Sequence, residues 1–125
     1  MKCVDMGHKF RLLNYDGGEP YQLLVFMKRE GAGYPFNVGH YPGTNCQEVT
    51  RALISRVRYL QAQVPCWQNR CVRFLLRVTL WLFEHRAAKR HHRAFPLRLI
   101  RNIEYLPTCE TCGHINCIGE HREIA

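Results

Sequence analysis

The stretch from Gly43 to His92 constrains the fold of this chain more than any other. It opens Gly-Thr-Asn-Cys-Gln-Glu-Val, runs with helical periodicity to Gln63, breaks at Val64-Pro65-Cys66, and runs again to about His91. Proline at the break cannot continue a helix, so the two runs are expected to fold back as a helical hairpin over 44–93. Thr44 with Gln47, or Asn45 with Glu48, has capping-box spacing, and an acid in the first turn suits the helix dipole. In the first run Val49, Ala52, Leu53, Val57 and Leu60 form one apolar stripe. In the second, Val72, Leu75, Leu76, Leu80, Phe83 and Ala87 share a side, widened by Phe74, Trp81 and Leu82. A helix that is apolar beyond one face has a second neighbour, either a sheet or another subunit, so a homo-oligomer is expected.

The positive charge sits on this same stretch. Residues 51–101 hold twelve Lys or Arg and one acid, Glu84, whereas residues 1–50 balance at five and five. The chain's net charge of +8 is thus concentrated on the two helical runs. A basic hairpin with no acids to pair with calls for an anionic partner. Lys89-Arg90-His91-His92-Arg93 closes the second run with cations where the helix dipole favours them.

Before the hairpin, residues 8–15 and 21–29 read as strands around the turn Asp16-Gly17-Gly18, and Pro35 to Tyr41 as a short third one. An isolated two-stranded hairpin is marginal in water, so this sheet is expected to lie on the helices. After the hairpin, Pro96 stops the helix, and Leu97 to Leu106, rich in β-branched and aromatic residues, is expected as a strand. The expectation is an α+β domain over 1–106: a small N-terminal antiparallel sheet (strands in 8–41), the helical hairpin, a strand at 97–106, then a Cys/His tail at 107–125. The chain has no apolar run of roughly 18 residues, so no membrane span is expected. Its start, Met-Lys-Cys-Val-Asp-Met-Gly-His, lacks the apolar core of a signal peptide, which points to the cytoplasm.

The tail packs Cys109, Cys112, His114, Cys117 and His121 into thirteen residues. Cys-x-x-Cys-Gly is a turn that sets two thiolates on one side of a metal. Cys109, Cys112, Cys117 and His121 would complete a closed tetrahedral zinc site, with His114 in reserve. Such a site is structural, with no open position for a reacting water. The segment is zinc-knuckle-like, but its ligand order differs from the nucleic-acid-binding knuckle, and Glu110, Glu120 and Glu123 make it a poor phosphate binder.

No phosphate loop, dinucleotide fingerprint or paired carboxylates stand out, and no catalytic residue is assigned. Cys46 at a helix start reads as a packing residue. Gly43-Thr44-Asn45 either caps the helix or offers backbone N–H groups to an anion. Chemistry adds Arg56 as a phosphate partner, and Tyr34, Phe36 and Tyr41 as rings on which a base stacks.

Pro65-Cys66-Trp67-Gln68-Asn69, then Leu76 with Leu80-Trp81-Leu82, then His85-Arg86-Ala87, preceded by Leu53-Ile54-x-Arg56-Val57, resembles the helical hairpin of the small phage-encoded sponge proteins that counter CBASS and Thoeris immunity. The resemblance covers about forty of the 125 residues. Lys89-Arg90-His91-His92 stands where the family has a glycine-rich stretch, and the Cys/His tail is not part of its pattern. The resemblance implies a non-catalytic oligomer in the host cytoplasm that sequesters a cyclic oligonucleotide or cyclic ADP-ribose-type signal. It gives Arg86 and Arg90 the role of the family's arginine-bearing helix end. Two other readings fit the same charge pattern: a basic, zinc-stabilised DNA- or RNA-binding regulator, and an inhibitor that binds an acidic host protein.

Overall fold

The computed structural model describes residues 1–16, 20–28, 41–110 and 113–115. The chain is α+β, with a three-stranded antiparallel sheet followed by helices. It divides into two compact units, Met1–Asn45 and Cys46–Ile124.

In the first unit, β1 (Lys2–Asp5), β2 (Lys9–Leu13) and β3 (Tyr21–Val25) pair in sequence order. β1 is an addition to the sequence reading: Lys-Cys-Val-Asp has no alternation to announce it. Gly7, at φ +79°, turns the chain so that His8 N–H reaches Asp5 O at 2.9 Å. β2 and β3 pair from Lys9↔Val25 to Leu13↔Tyr21. The third strand expected at 35–41 falls, apart from Tyr41, outside the described residues, and Tyr41 makes an antiparallel bridge to Lys28.

Gly43 is where the chain presses on the end of β3. A Cβ there would stand 2.6 Å from Met27 N, Phe26 C and Val25 O, while Thr44 N–H donates to Val25 O at 2.8 Å. All three are backbone atoms of one stretch, which cannot yield as a flexible side chain would. Gly43→Ala is therefore expected to cost about 1–3 kcal/mol of this unit's stability, seen as faster amide exchange along β3. Unchanged exchange would contradict the contact.

The second unit holds α1 (Cys46–Gln63) and α2 (Trp67–Arg90), joined by residues 64–66. Ile54 of α1 and Leu80 of α2 meet at the centre of a core shared with Ala88, Phe95, Ile103 and Ile115, on which Leu76, Trp81, Leu99 and Leu106 pack. The buried faces differ from those read in the sequence. α1 turns in Gln47, Thr50, Ile54 and Val57; of the expected stripe Val57 is buried while Leu53 is exposed. α2 turns in Leu80, Glu84, Ala87 and Ala88, while Val72 and Leu75 are exposed. The apolar count misled because polar side chains with partners share the inner face; Thr50, for one, donates to Cys46 O at 2.7 Å.

Leu97–Tyr105 is 3-10 helix, correcting the expected strand. Pro96 O accepts from Leu99 N–H at 3.2 Å, and Asn102 (φ −125°, ψ 19°) breaks the run into two short pieces, in keeping with the poor propagation of 3-10 geometry. This winding sends Leu99, Ile103 and Leu106 to one side, onto the core, which outweighs the strand preference of the residue types. Among the described residues, no helix is long and apolar enough to cross a membrane.

Candidate anion-binding site

Two acids reorganise the charge of the helical unit. Glu84, buried on α2, accepts from Arg51 Nη2 at 2.7 Å through Oε1 and from Ile115 N–H at 3.2 Å through Oε2. Arg51 also donates to Gly113 O and Glu48, each at 3.1 Å, and Gln47 Nε2 lies 3.1 Å from His114 Nδ1. Residues 113–115 are thus pinned to both helices by a buried polar cluster. Its members satisfy one another, which identifies it as a structural joint.

The second cluster is different, because its charges do not cancel. Arg73 Nη2 donates to Glu104 Oε1 at 2.7 Å and to Tyr105 Oη at 2.9 Å. Arg77 brings Nε at 2.9 Å and Nη2 at 2.6 Å to the same Glu104 oxygen. From α1, Arg58 sets its guanidinium 5.0 Å from the centre of the Tyr105 ring. Two guanidiniums of α2 therefore meet one carboxylate, and a third, from α1, lies over the adjoining tyrosine ring, so the group carries three positive charges against one negative. Burial pushes the Glu104 carboxyl up, but hydrogen bonds and charge from Arg73 and Arg77 outweigh it and hold it below the usual carboxylate range. The hydrogen bond to Glu104 likewise raises Arg73. Crowding three donors onto Oε1 leaves Glu104 Oε2 and Arg73 Nε buried without a hydrogen-bond partner.

These pairs correct the sequence picture of unpaired cations along both helices: Arg51, Arg73 and Arg77 have buried carboxylate partners. Glu104 lies outside the stretch over which charge was counted, and Glu84 is one acid placed where it is worth most. Linear charge bookkeeping sees neither.

The sequence candidates are dispersed. Arg56 is exposed on α1 with its guanidinium 5.5 Å over Tyr59, and Arg86 is exposed on α2, 5.7 Å over Phe83. The Arg51–Glu84 pair sets the level of the two helices. Arg56 lies about 7.5 Å along α1 toward the connector, while Arg86 and Arg90 lie about 3 and 9 Å toward the opposite end. They do not converge within a protomer. Thr44, Asn45 and Tyr41 belong to the other unit. The Thr44 N–H is committed to Val25 O, and Tyr41 donates to Asp5 at 2.6 Å with Lys9 Nζ 4.1 Å from its ring centre. Tyr34 and Phe36 lie outside the described residues.

Of the metal candidates, Cys112, Cys117 and His121 lie outside the described residues. Cys109 is half-buried at the start of a turn closed by Gly113 N–H to Cys109 O at 2.8 Å, with Gly113 at φ +74°. Glycine is needed at that angle. His114, the reserve ligand, is buried against Gln47 and Glu84. Among the described residues no group of three or more His, Cys, Asp or Glu gathers to hold a metal.

Arg58, Arg73, Arg77, Glu104 and Tyr105 were not singled out from sequence. Arg73 and Arg77 at helical i, i+4 spacing were a legible signal; Glu104 and Tyr105 were hidden by the strand reading.

In comparisons with protein-family models, curated proteins and solved structures, nothing matches this chain.

Proposed function

We propose that this protein is a non-catalytic binding protein that captures a compact anionic nucleotide at the Arg58–Arg73–Arg77 cluster. The observation that carries the reading is the convergence of two guanidiniums on one carboxylate, with a third over the adjoining exposed tyrosine. Guanidinium forks bind phosphate bidentately, and Tyr105 supplies a ring for a base or sugar to lie against. Arg73 and Arg77 keep Nη1 uncommitted among the described residues, so a phosphate can accept from them without breaking the Glu104 contacts. The pairing of α1 and α2 across a short connector agrees with a helical hairpin, the element in which the chain resembles the anti-CBASS and anti-Thoeris sponges. On that resemblance the ligand is a cyclic oligonucleotide or cyclic ADP-ribose-type immune signal, and the protein counteracts antiphage defence by removing it.

The test is mass spectrometry of small molecules released by denaturing protein purified from cells that make such signals. Release of a phosphate-bearing nucleotide in near-stoichiometric amount is expected. Release of none, with Arg58→Gln protein indistinguishable from wild type, would overturn the reading.

We further propose that Cys109, Cys112, Cys117 and His121 hold a structural zinc. The Cys109–Gly113 turn supports it, since it is the bend that a Cys-x-x-Cys-Gly metal loop requires. Because His114 is engaged by the helices, it is left out of the ligand set. Elemental analysis should find close to one zinc per chain, and less than about half an equivalent would argue against a structural site.

A further inference from the structure

α2 has a second apolar face that the fold leaves open. Trp67, Cys71, Phe74, Val78 and Leu82 recur at spacings of four, three, four and four, with Leu75 beside them. At 100° per residue this seam lies opposite Leu80, Glu84 and Ala87, the residues that face the core. Trp67 is 70% exposed, Phe74 56%, Leu75 61% and Leu82 56%. The seam runs about 22 Å along the helix, the length over which two helices pack by knobs into holes.

The charged residues at its borders are all basic. Arg70 and Arg86 flank it, and His85 and Lys89 stand at its far end, all exposed. Glu84 is the sole acid of α2, and it is buried against Arg51. We propose that this face docks an amphipathic helix of another protein whose apolar seam is flanked by acidic residues. Charge decides the occupant. A second copy of α2 carries no exposed acid to meet these cations in either orientation, and approaches on a chain of net charge +8. A lipid surface would be served by a broader face. Here Gln68 and Thr79, both exposed and polar, hold the seam to the width of one helix. The inference is argued from the seam Trp67 to Leu82 and not from the Glu104 contacts that carry the nucleotide reading, and Arg77 lies one heptad beyond Arg70 on the same border.

The test uses the full chain and a designed helical peptide of α2's own length, with leucine at its core positions and glutamate at the flanks, beside a control carrying lysine at the flanks. In fluorescence anisotropy the glutamate peptide should bind on the order of tenfold tighter than the lysine one, with the preference shrinking as salt rises. Phe74→Glu, at an exposed position, should abolish binding while circular dichroism stays unchanged; Arg58→Gln should leave it intact. Equal binding of the two peptides, or binding indifferent to Phe74→Glu, overturns the proposal. Sedimentation showing a dimer of the chain that Phe74→Glu dissociates makes the occupant a second copy and overturns it too. So does capture on phosphatidylserine vesicles, lost in Phe74→Glu, with no peptide binding.

Discussion

Replacing Glu84 with alanine is expected to destabilise the helical unit by about 3–5 kcal/mol. The Glu84 side chain is 2% exposed, and its two oxygens tie Arg51 on α1 to the backbone of Ile115. Without it, the largely buried Arg51 guanidinium loses its buried counter-charge, keeping only Glu48 and the Gly113 carbonyl, and the Ile115 N–H loses its acceptor where water cannot replace it. Urea unfolding followed by circular dichroism measures the loss. A cost below about 1 kcal/mol, the range of a surface ion pair, would show that the joint is solvated and the account of it mistaken. The double replacement Arg51→Met with Glu84→Leu should recover much of the stability. Removing both charges leaves neither unpaired, and apolar side chains of similar volume suit the interior.

Glu104→Gln should move stability and anion affinity in opposite directions. Glutamine keeps an acceptor for Arg73 and Arg77 but removes the charge, so about 1–3 kcal/mol of stability is lost. The cluster then carries all three guanidinium charges with no internal counter-ion, and a nucleotide phosphate should bind several-fold tighter. The pH dependence follows in sign. Because Glu104 is held below its usual value of 4.5, its stabilising contribution is complete above that value and is lost as pH falls through the lower folded value. Asp5, held low by its hydrogen bonds from Tyr41 and Lys28, acts in the same sense in the sheet unit. Glu104→Gln should therefore flatten the acid limb of the helical unit's stability profile. Loss of stability together with weakened nucleotide binding would place Glu104 outside the anion site.

The α+β class and the two helices were legible because their signals are local: a proline break, a capping sequence, and periodic runs long enough to be decisive. The strand pair flanking Asp16 was legible for the same reason. What escaped were features decided by tertiary partners. Leu97–Tyr105 has strand-forming residues, but Leu99, Ile103 and Leu106 reach the core only when the chain winds, and the core prevails. Gln47, Glu84 and Arg51 look like surface residues in any hydropathy count, yet Glu84 and Arg51 pair across the two helices and Gln47 meets His114. The candidate site was missed on the same ground: Arg58 and Tyr105 are 47 positions apart, and folding alone brings them together.

Calorimetric titration of a cyclic dinucleotide, and separately of a DNA duplex, into the full chain at physiological salt tests the central claim most directly. The account predicts saturable binding of the nucleotide, weakened about tenfold by Arg58→Gln through loss of a charge-assisted contact, with the duplex giving no comparable heat. Duplex binding that falls steeply with salt through counterion release, beside no heat from the nucleotide, would contradict it.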